Sequence, residues 1–199
     1  MKQTVGIINY GVAGNTYSVS RAVEKAGAIP AIINANEKLN QYKRIIIPGV
    51  GSFSDGMKEL ANDGFYDQIK ELTCPVLGIC LGMQVLGKIG FEFGTSNGLE
   101  IFDAEVRRLM VKGRIPHMGF NKIKVIKPNK LLEGLNNKEF YFMHSYEMIN
   151  FTDISSLTSY ENHTFVSSVK KENFYGVQFH PEKSRSQGVD LIKNFLSLK

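Results

Sequence analysis

Short apolar runs alternate with amphipathic segments along the first half of the chain. The runs lie at residues 4–8, 28–33, 44–47 and 75–79. Because they have no regular polar face, they are typical of parallel strands buried on both sides. Apolar residues recur at helical spacing from about Thr16 until Gly27. A second helical region is predicted at residues 54–72, with a break near Asp63. This order predicts βαβ units and a parallel sheet.

The pattern changes beyond residue 100, where apolar and polar residues alternate in short β-rich runs. These predicted strands lie at residues 105–110, 121–126, 140–144, 156–160, 165–170 and 174–178. Such alternation favours antiparallel hairpins that extend the central sheet. A final helix is predicted at residues 188–198. Its core face is expected to carry Val189, Ile192 and Phe195.

Length and pattern together predict a single α/β domain. The chain has 199 residues, enough for one sizeable core, and no repeat or low-complexity segment divides it. We therefore expect one domain over residues 1–199. Its central sheet should be mostly parallel, with an antiparallel extension in the C-terminal half.

Charge and hydropathy narrow the classes of function. The net charge is +5, and the densest set of basic residues is Lys122, Lys124, Lys127 and Lys130. The first two alternate with apolar residues, as on the solvated face of a strand, so we expect no nucleic-acid binding. A basic surface that faces an acidic partner or a phosphorylated substrate is the alternative. No apolar run approaches the roughly 18 residues of a membrane span, and no signal peptide precedes the first strand. We expect a cytoplasmic protein without membrane attachment.

The two cysteines, Cys74 and Cys80, flank one predicted strand. At about 3.3 Å per residue their Cα atoms would lie roughly 20 Å apart. A disulfide needs less than about 7 Å, so the two cannot pair. This usage fits a reducing compartment, and Cys74 is expected to be inert.

The segment Gly78-Ile79-Cys80-Leu81-Gly82 joins the predicted strand at 75–79 to a helix expected to reach about Lys88. A sharp turn of this kind strains the backbone of its middle residue, and small flanking residues let neighbouring backbone approach. Cys80 would then stand exposed as a nucleophile. The helix dipole would favour its thiolate, and the N–H of Leu81 would face an oxyanion. A buried cysteine in a glycine-rich turn is the alternative.

A second glycine loop, Gly49-Val50-Gly51, ends the predicted strand at 44–47. Ligands of open α/β sheets bind at the carboxyl ends of strands, where Cys80 is also expected. Two glycines allow the peptide planes to flip and present bare N–H groups. We therefore predict a second wall of an oxyanion hole, with a plain tight turn as the alternative.

The segment His180-Pro181-Glu182 supplies candidate partners for the nucleophile. Proline disfavours the α region at the preceding residue, so the backbone at His180 should be extended. Residues two apart in an extended chain point the same way. Glu182 would therefore orient the imidazole, whose other nitrogen would face Cys80, as in a nucleophile–base–orienter triad. A surface turn is the alternative.

The other candidate residues give weaker signals. His117 and His144 adjoin apolar runs and are expected to be packed and hydrogen-bonded, whereas His163 lies in a polar stretch and should be solvated. From the residues alone, Glu92 is more simply a solvated loop residue than a ligand of a substrate amine. Cysteine and histidine show no zinc spacing, so no metal is expected. The loop at 9–15 follows the first strand, but its G-x-x-G spacing differs from a dinucleotide fingerprint.

Together the motifs G-I-C-L-G-M-Q, P-G-V-G-S-F and G-V-Q-F-H-P-E-K-S resemble those of the class I (triad) glutamine amidotransferases. The segments P-H-M-G-F-N and Y-F-M-H-S-Y extend the resemblance over nearly the whole chain. They narrow it to glutaminase subunits that serve a histidine-pathway cyclase. The resemblance implies a flavodoxin-like, three-layer fold and no cofactor. It also implies hydrolysis of L-glutamine to glutamate and ammonia through a thioester on Cys80.

The resemblance also implies roles for residues at matching positions. His180 would move protons, Glu182 would orient it, and Leu81 with the Gly49–Gly51 loop would donate to the oxyanion. Residues that would hold the substrate glutamine are Gln84, Glu92, Gly51, Ser145 and Tyr146. Lys183 matches a family lysine at the interface with the synthase subunit.

Two departures from the family pattern concern the expected partner interface. The family usually has aspartate at Asn9 and a closer D-Y-G-x-G-N match in the loop that ends at Asn15, and it often has tryptophan at Phe120. These positions are expected to face the partner, so the departures leave the triad intact and bear on the ammonia acceptor.

A separate acceptor subunit is expected to form a heterodimer with this chain, because a free glutaminase would waste glutamine. That subunit would receive ammonia directly and switch the site on, with a flip of the loop at Val50 as one route. Four alternatives remain from the sequence. They are a paralogue feeding another acceptor such as an amidated sugar, a glutaminase for vitamin B6 or anthranilate synthesis, a non-catalytic binding subunit, and a cysteine peptidase.

Overall fold

Alternating strands and helices form the N-terminal half in the computed structural model, which describes residues 2–11, 15–149 and 152–199. The elements in order are β1 (Thr4–Ile8), α1 (Thr16–Lys25), β2 (Ile29–Ile33), β3 (Ile45–Ile47), α2 (Phe53–Asn62), α3 (Tyr66–Lys70), β4 (Val76–Ile79) and α4 (Leu81–Gln84). These bounds confirm the four predicted strands and the break in the second helical region. Residues 12–14 of the predicted glycine loop lie outside the described residues.

The C-terminal half is richer in strands than predicted. Its elements are β5 (Ile89–Gly90), β6 (Ser96–Asn97), β7 (Glu105–Arg108), β8 (His117–Lys122), β9 (Lys124–Val125), β10 (Glu139–His144), β11 (Tyr146–Ile149), β12 (Ile154–Tyr160), β13 (His163–Lys171), β14 (Phe174–Val177) and α5 (Arg185–Leu196). The run predicted at 121–126 is two strands, and β5, β6 and β11 were not predicted. These three have two to four residues each, too few to show a period.

The main sheet of the described residues has the strand order β2-β1-β3-β4-β14-β13-β12-β9. The first five of these strands pair in parallel, and β13, β12 and β9 continue the sheet antiparallel. The mostly parallel sheet with an antiparallel extension is therefore confirmed, and the order of its parallel part is flavodoxin-like.

Two features of the topology correct the sequence-based prediction. The strand predicted as part of an antiparallel hairpin, β14, also pairs in parallel with β4 and lies inside the sheet. The remaining strands do not extend the main sheet. They form a pair, β10-β8, and a separate sheet in the order β11-β7-β5-β6.

Helices cover both faces of the main sheet, which gives three layers. On one face Val19 of α1 and Leu191 of α5 pack in one cluster with Ile46. On the other face Phe53 of α2 packs in a second cluster with Ile45 and other strand residues. Successive residues of β3 thus serve opposite cores, which explains why the run is apolar without interruption. None of the described helices is long and apolar enough to cross a membrane.

Helix α5 begins three residues earlier than predicted, at Arg185 rather than 188. Its buried face includes Ile192 and Phe195, as predicted, but Leu191 is buried where Val189 was expected. Two of the three predicted core residues therefore lie on the buried face, which is centred closer to Leu191 than predicted.

Candidate active site

Cys80 lies in a strained turn between β4 and α4, as the sequence predicts, but it is buried, at 7% exposure, where an exposed side chain was predicted. Its backbone angles are φ 52° and ψ −108°, outside the range that non-glycine residues favour. A Cβ atom on Gly82 would lie 1.9 Å from the carbonyl oxygen of Ile47, and one on Gly78 would lie 2.5 Å from the carbonyl oxygen of Gly82. The glycines therefore allow the turn to pack against the end of the neighbouring strand.

The helix after Cys80 is shorter than predicted, because α4 ends at Gln84. The carbonyls of Val85, Leu86 and Gly87 accept hydrogen bonds from the N–H groups of residues 99, 102 and 100. They are thus unavailable for a helical i→i+4 pattern. A four-residue helix has a weak dipole, so the predicted dipole effect on Cys80 is small. The N–H groups of Met83 and Gln84 donate to the carbonyl of Cys80, whereas that of Leu81 has no described acceptor and remains available as a donor.

His180 and Glu182 form a buried pair at the carboxyl end of β14. Nδ1 of His180 lies 2.8 Å from Oε1 of Glu182, and each side chain is 1% exposed. The predicted pairing is present and the backbone at His180 is extended, as predicted, but the predicted extended chain from His180 through Glu182 is wrong. Residues Pro181–Lys183 form a 3₁₀ turn rather than an extended chain, and this turn brings the carboxylate back to the imidazole. Oε1 of Glu182 also accepts a hydrogen bond from Asn15 at 3.3 Å.

The imidazole of His180 is close enough to Cys80 for their charges to interact. Burial alone lowers the pKa of His180, but the charge of Cys80, followed by the hydrogen bond and charge of Glu182, outweighs it and raises this pKa to about 10. Nε2 of His180 is buried and makes no hydrogen bond to another described residue. The free nitrogen and the raised pKa fit a proton exchanged between sulfur and imidazole.

The topology explains how groups distant in sequence meet. Cys80 follows β4 and His180 follows β14, and these neighbouring parallel strands pair Ile79 with Val177. The N–H of Cys80 donates to the carbonyl of Val177 at 2.8 Å. The loop after β3, on the other side of β4, starts at the same edge. The carboxyl ends of three adjacent strands therefore form the site.

A cavity of about 220 Å³ opens beside the sulfur. Its lining residues are Val50, Gly51, Cys80, Leu81, Gln84, Glu92, Pro116, Met143, His144, Ser145 and Tyr146. Sites for drug-sized ligands span roughly 300–1,000 Å³, so this cavity suits a smaller molecule such as an amino acid. All five residues predicted to hold a substrate line it.

Polar side chains of the cavity are fixed by contacts with the backbone. Oε2 of Glu92 accepts the N–H of Phe53 at 2.7 Å, at the start of α2. Burial is the main cause that raises the pKa of Glu92. Nε2 of Gln84 donates to the carbonyl of Tyr146 at 3.0 Å. Glu92 is therefore part of the cavity wall rather than a solvated loop residue.

The glycine loop after β3 borders the cavity with two of its three residues. Val50 and Gly51 line it, and Gly51 has a φ of 107°, which favours glycine. Gly49 instead packs behind the loop, where an added Cβ would lie 2.7 Å from the hydroxyl oxygen of Tyr10. That hydroxyl donates to the carbonyl of Pro48 at 2.6 Å and ties the loop to the segment after β1.

The residues predicted to face a partner occupy different environments. Phe120 is 37% exposed, and the guanidinium carbon of Arg185 lies 4.5 Å from its ring centroid. Lys183 is exposed, with Nζ 5.8 Å from the ring centroid of Tyr141. Asn9 donates to the side chain of Asn34 at 3.2 Å. Asn15 points instead to Glu182, as described above.

The remaining histidines have structural partners. Nδ1 of His117 lies 3.1 Å from Nε2 of His144, and Nδ1 of His144 lies 2.9 Å from the carbonyl oxygen of Tyr146. Both are buried, as predicted, and burial lowers the pKa of His144 to about 3. His163 was expected to be solvated, but it pairs with the buried Glu147 at 2.8 Å and its side chain is 29% exposed. Among the described residues, no cluster of histidine, cysteine or acidic side chains could hold a metal.

Sequence reasoning did not single out Gln178 or Tyr10. Gln178 is fully buried and contacts Cys80, and Tyr10 is fully buried behind the glycine loop. Gln178 lies two residues before His180 in a run predicted as a strand, so its polar side chain within an apolar stretch was the available signal.

Comparison with known proteins defines the class. Residues 7–198 match the family model described as glutamine amidotransferase class-I. A solved glutamine amidotransferase superposes with a TM-score of 0.75 at 20% identity, covering 96% of both chains. PurLQS from Thermotoga maritima gives a TM-score of 0.78 at 17% identity, with 98% of both chains covered. The chain belongs to the class I glutamine amidotransferases.

Curated relatives narrow the membership within the class. The chain is 39% identical over 201 residues to imidazole glycerol phosphate synthase subunit HisH 1 of Campylobacter jejuni, covering 98% of this chain and all of the relative. It is 41% identical to subunit HisH 2 of Methanococcus maripaludis, covering 96% of this chain and 98% of the relative. Within the class, the chain belongs with the HisH subunits.

Proposed function

We propose that this chain is the glutaminase subunit of an imidazole glycerol phosphate synthase. It hydrolyses L-glutamine to glutamate and passes ammonia to a separate cyclase subunit of histidine biosynthesis. The observation that carries the proposal is the strained Cys80 at the wall of a small cavity, with the buried His180–Glu182 pair beside it. The names of the relatives support the pathway. We also propose that residues 1–199 form a single domain of this class and that the protein acts in the cytoplasm.

The first half of the proposed reaction forms a thioester. The thiolate of Cys80 attacks the amide carbon of glutamine, and the carbonyl oxygen becomes an oxyanion. N–H groups of Leu81 and of the loop at Val50 and Gly51 stabilise that oxyanion. Protonated His180 gives its proton to the leaving nitrogen, the C–N bond breaks, and ammonia departs.

The second half returns the enzyme to its starting state. Neutral His180 takes a proton from water, and the resulting hydroxide attacks the thioester carbon. The C–S bond breaks to release glutamate and the Cys80 thiolate, with His180 protonated again. Gln84, Glu92 and the backbone at Ser145 and Tyr146 hold the amino-acid end of the substrate away from the reacting carbon.

We expect Glu182→Gln to move the alkaline limb of kcat/KM to lower pH. The carboxylate helps to raise the pKa of His180 to about 10, so its removal lowers that pKa. Activity is lost as pH rises through this pKa, because ammonia must leave with a proton from His180. The loss at neutral pH should be smaller than the roughly 10²–10⁴-fold loss expected for His180→Ala. An unchanged alkaline limb in a glutamate-release assay would contradict the proposed role of Glu182.

The proposed partner contacts lie close to the triad. Phe120 and Lys183 are exposed around Tyr141, whose carbonyl accepts the N–H of His180 at 2.8 Å. A partner docked on Phe120 and Lys183, and beside Asn9 and Asn15, would be linked to His180 through this backbone hydrogen bond of Tyr141. The heterodimer would receive ammonia before it equilibrates with solvent.

Glutamine turnover should therefore depend on the partner subunit. We expect saturating cyclase to raise the rate of glutamate release by about 5–150-fold, the usual range of coupling between sites. The measurement compares turnover of the chain with and without the cyclase. Equal rates would contradict the proposed dependence of glutamine turnover on the cyclase. Failure to restore growth of a histidine auxotroph that supplies a matching cyclase would favour another ammonia acceptor.

A further inference from the structure

Gln178 connects the sulfur of Cys80 to the cavity wall. Its side chain is fully buried at the carboxyl end of β14. Nε2 of Gln178 donates to Sγ of Cys80 at 3.6 Å, and Oε1 of Gln178 accepts from Nε2 of Gln84 at 3.0 Å. One amide thus contacts both the proposed nucleophile and a residue proposed to hold the substrate.

A backbone carbonyl fixes the direction of these hydrogen bonds. The carbonyl of Tyr146 only accepts, and it accepts Nε2 of Gln84 at 3.0 Å. Gln84 therefore turns its NH₂ group toward both Tyr146 and Gln178. If the amide of Gln178 were reversed, two NH₂ groups would face each other. Gln178 must consequently present its oxygen to Gln84 and its NH₂ group to the sulfur.

Other contacts of the sulfur do not replace this donor. Sγ of Cys80 lies 3.8 Å from the carbonyl oxygen of Met143, which suits a thiol but repels a thiolate. The hydroxyl of Tyr10 donates to Pro48. Burial first, and then the charge of Cys80, raise the pKa of Tyr10, so it stays neutral near the sulfur. Among the described residues, the charge of Cys80 thus raises the pKa of His180 and of Tyr10. Gln178 does not titrate and is a neutral donor to the sulfur.

We propose that Gln178 is a positioning residue with two separable effects on the proposed glutaminase reaction. Its N–H stabilises the Cys80 thiolate, because a hydrogen bond to an anion is stronger than one to a neutral sulfur. Its oxygen holds the amide of Gln84, which leaves Oε1 of Gln84 as the acceptor directed to the substrate cavity. The inference rests on the proposed function only for this second effect.

Two substitutions separate these effects. Gln178→Met keeps the approximate length of the side chain and removes both polar contacts. Gln178→Glu keeps an oxygen for the NH₂ group of Gln84 but places a carboxylate instead of a donor beside the sulfur. If Gln178 only filled space, the two variants would not share a shift in the reactivity of Cys80 while differing in KM for glutamine.

The first measurement is alkylation of Cys80 by iodoacetamide as a function of pH, followed by peptide mass spectrometry on the full chain. It needs neither glutamine nor the cyclase. We expect the midpoint of the alkylation rate to rise by about one to two pH units in both variants, because the thiolate loses a hydrogen bond. Ser168→Ala is the control. It removes a buried hydrogen bond of 2.7 Å between Ser168, on the adjacent strand β13, and Ser156, so its midpoint should match the unmodified chain.

The second measurement is KM for glutamine in the complex with the cyclase. We expect a rise of about tenfold for Gln178→Met, the cost of one hydrogen bond, and little change for Gln178→Glu. Thermal melting checks that each variant folds, and Gln178→Glu decides the outcome if Gln178→Met does not. Alkylation midpoints equal to that of the unmodified chain would overturn the inference. An unmodified complex that releases no glutamate would overturn the proposed function instead.

Discussion

Glutamate release should fall by at least about 10⁴-fold when Cys80 is replaced by alanine, since the thioester can no longer form. The oxyanion donors and the cavity remain and account for any residual rate. The raised pKa of His180, about 10, should also fall, because Cys80 is the first cause that raises it. Titration of the imidazole by NMR measures this change without any substrate.

The chain provides its own control for Cys80→Ala. Cys74 is the other free cysteine, half-buried at the opposite end of β4, and Cys74→Ala should leave glutamate release unchanged. With the cyclase present and ammonium salts supplied, Cys80→Ala should still support synthesis of imidazole glycerol phosphate. Persistent hydrolysis of glutamine by Cys80→Ala would refute the assignment of the nucleophile.

The second large effect is expected for Gly82→Ala. The added Cβ would lie 1.9 Å from the carbonyl oxygen of Ile47, a backbone atom that cannot move alone. We expect a loss of about 3 kcal/mol or more in the free energy of unfolding, and a fall of about 6–12 °C in the melting temperature. Where the chain still folds, the shifted turn should reduce glutamate release by about 10²-fold.

Gly113→Ala is the matched control for this steric argument. Its added Cβ would also be crowded, at 2.6 Å, but by Cγ of the flexible surface side chain of Glu161. That side chain can swing away, so the change in the free energy of unfolding should stay within about 0.5 kcal/mol. Similar melting curves for Gly82→Ala and the unmodified chain would show that the close approach is not required.

The parts of the fold that sequence could predict are those set by local pattern. The apolar run at Ile45–Ile47 serves two cores at once, so it indicates a buried strand without knowledge of its neighbours. The length of α4 was wrong because the carbonyls that would extend it bind a segment more than ten residues later. The strands β5, β6 and β11 owe their existence to pairing rather than to their own sequence.

The candidate site also divides into features that local sequence predicts and features that depend on contacts between distant segments. The glycines at 78 and 82 predict the strained turn at Cys80, since both lie within two residues of it. The contact of His180 with Glu182 was predicted for the wrong geometry, because nothing local revealed the 3₁₀ turn. The sequence did not predict a role for Gln178, because its contacts with Cys80 and Gln84 form only when β14 lies beside β4.

The position of β14 between β4 and β13 has a consequence for synthesis in the cell. Translation makes Cys80 a hundred residues before His180, so the proposed nucleophile of a nascent chain has no proposed base beside it. The two residues meet only when β14 pairs with β4. Under the proposed function, an incomplete chain would therefore leave glutamine unhydrolysed.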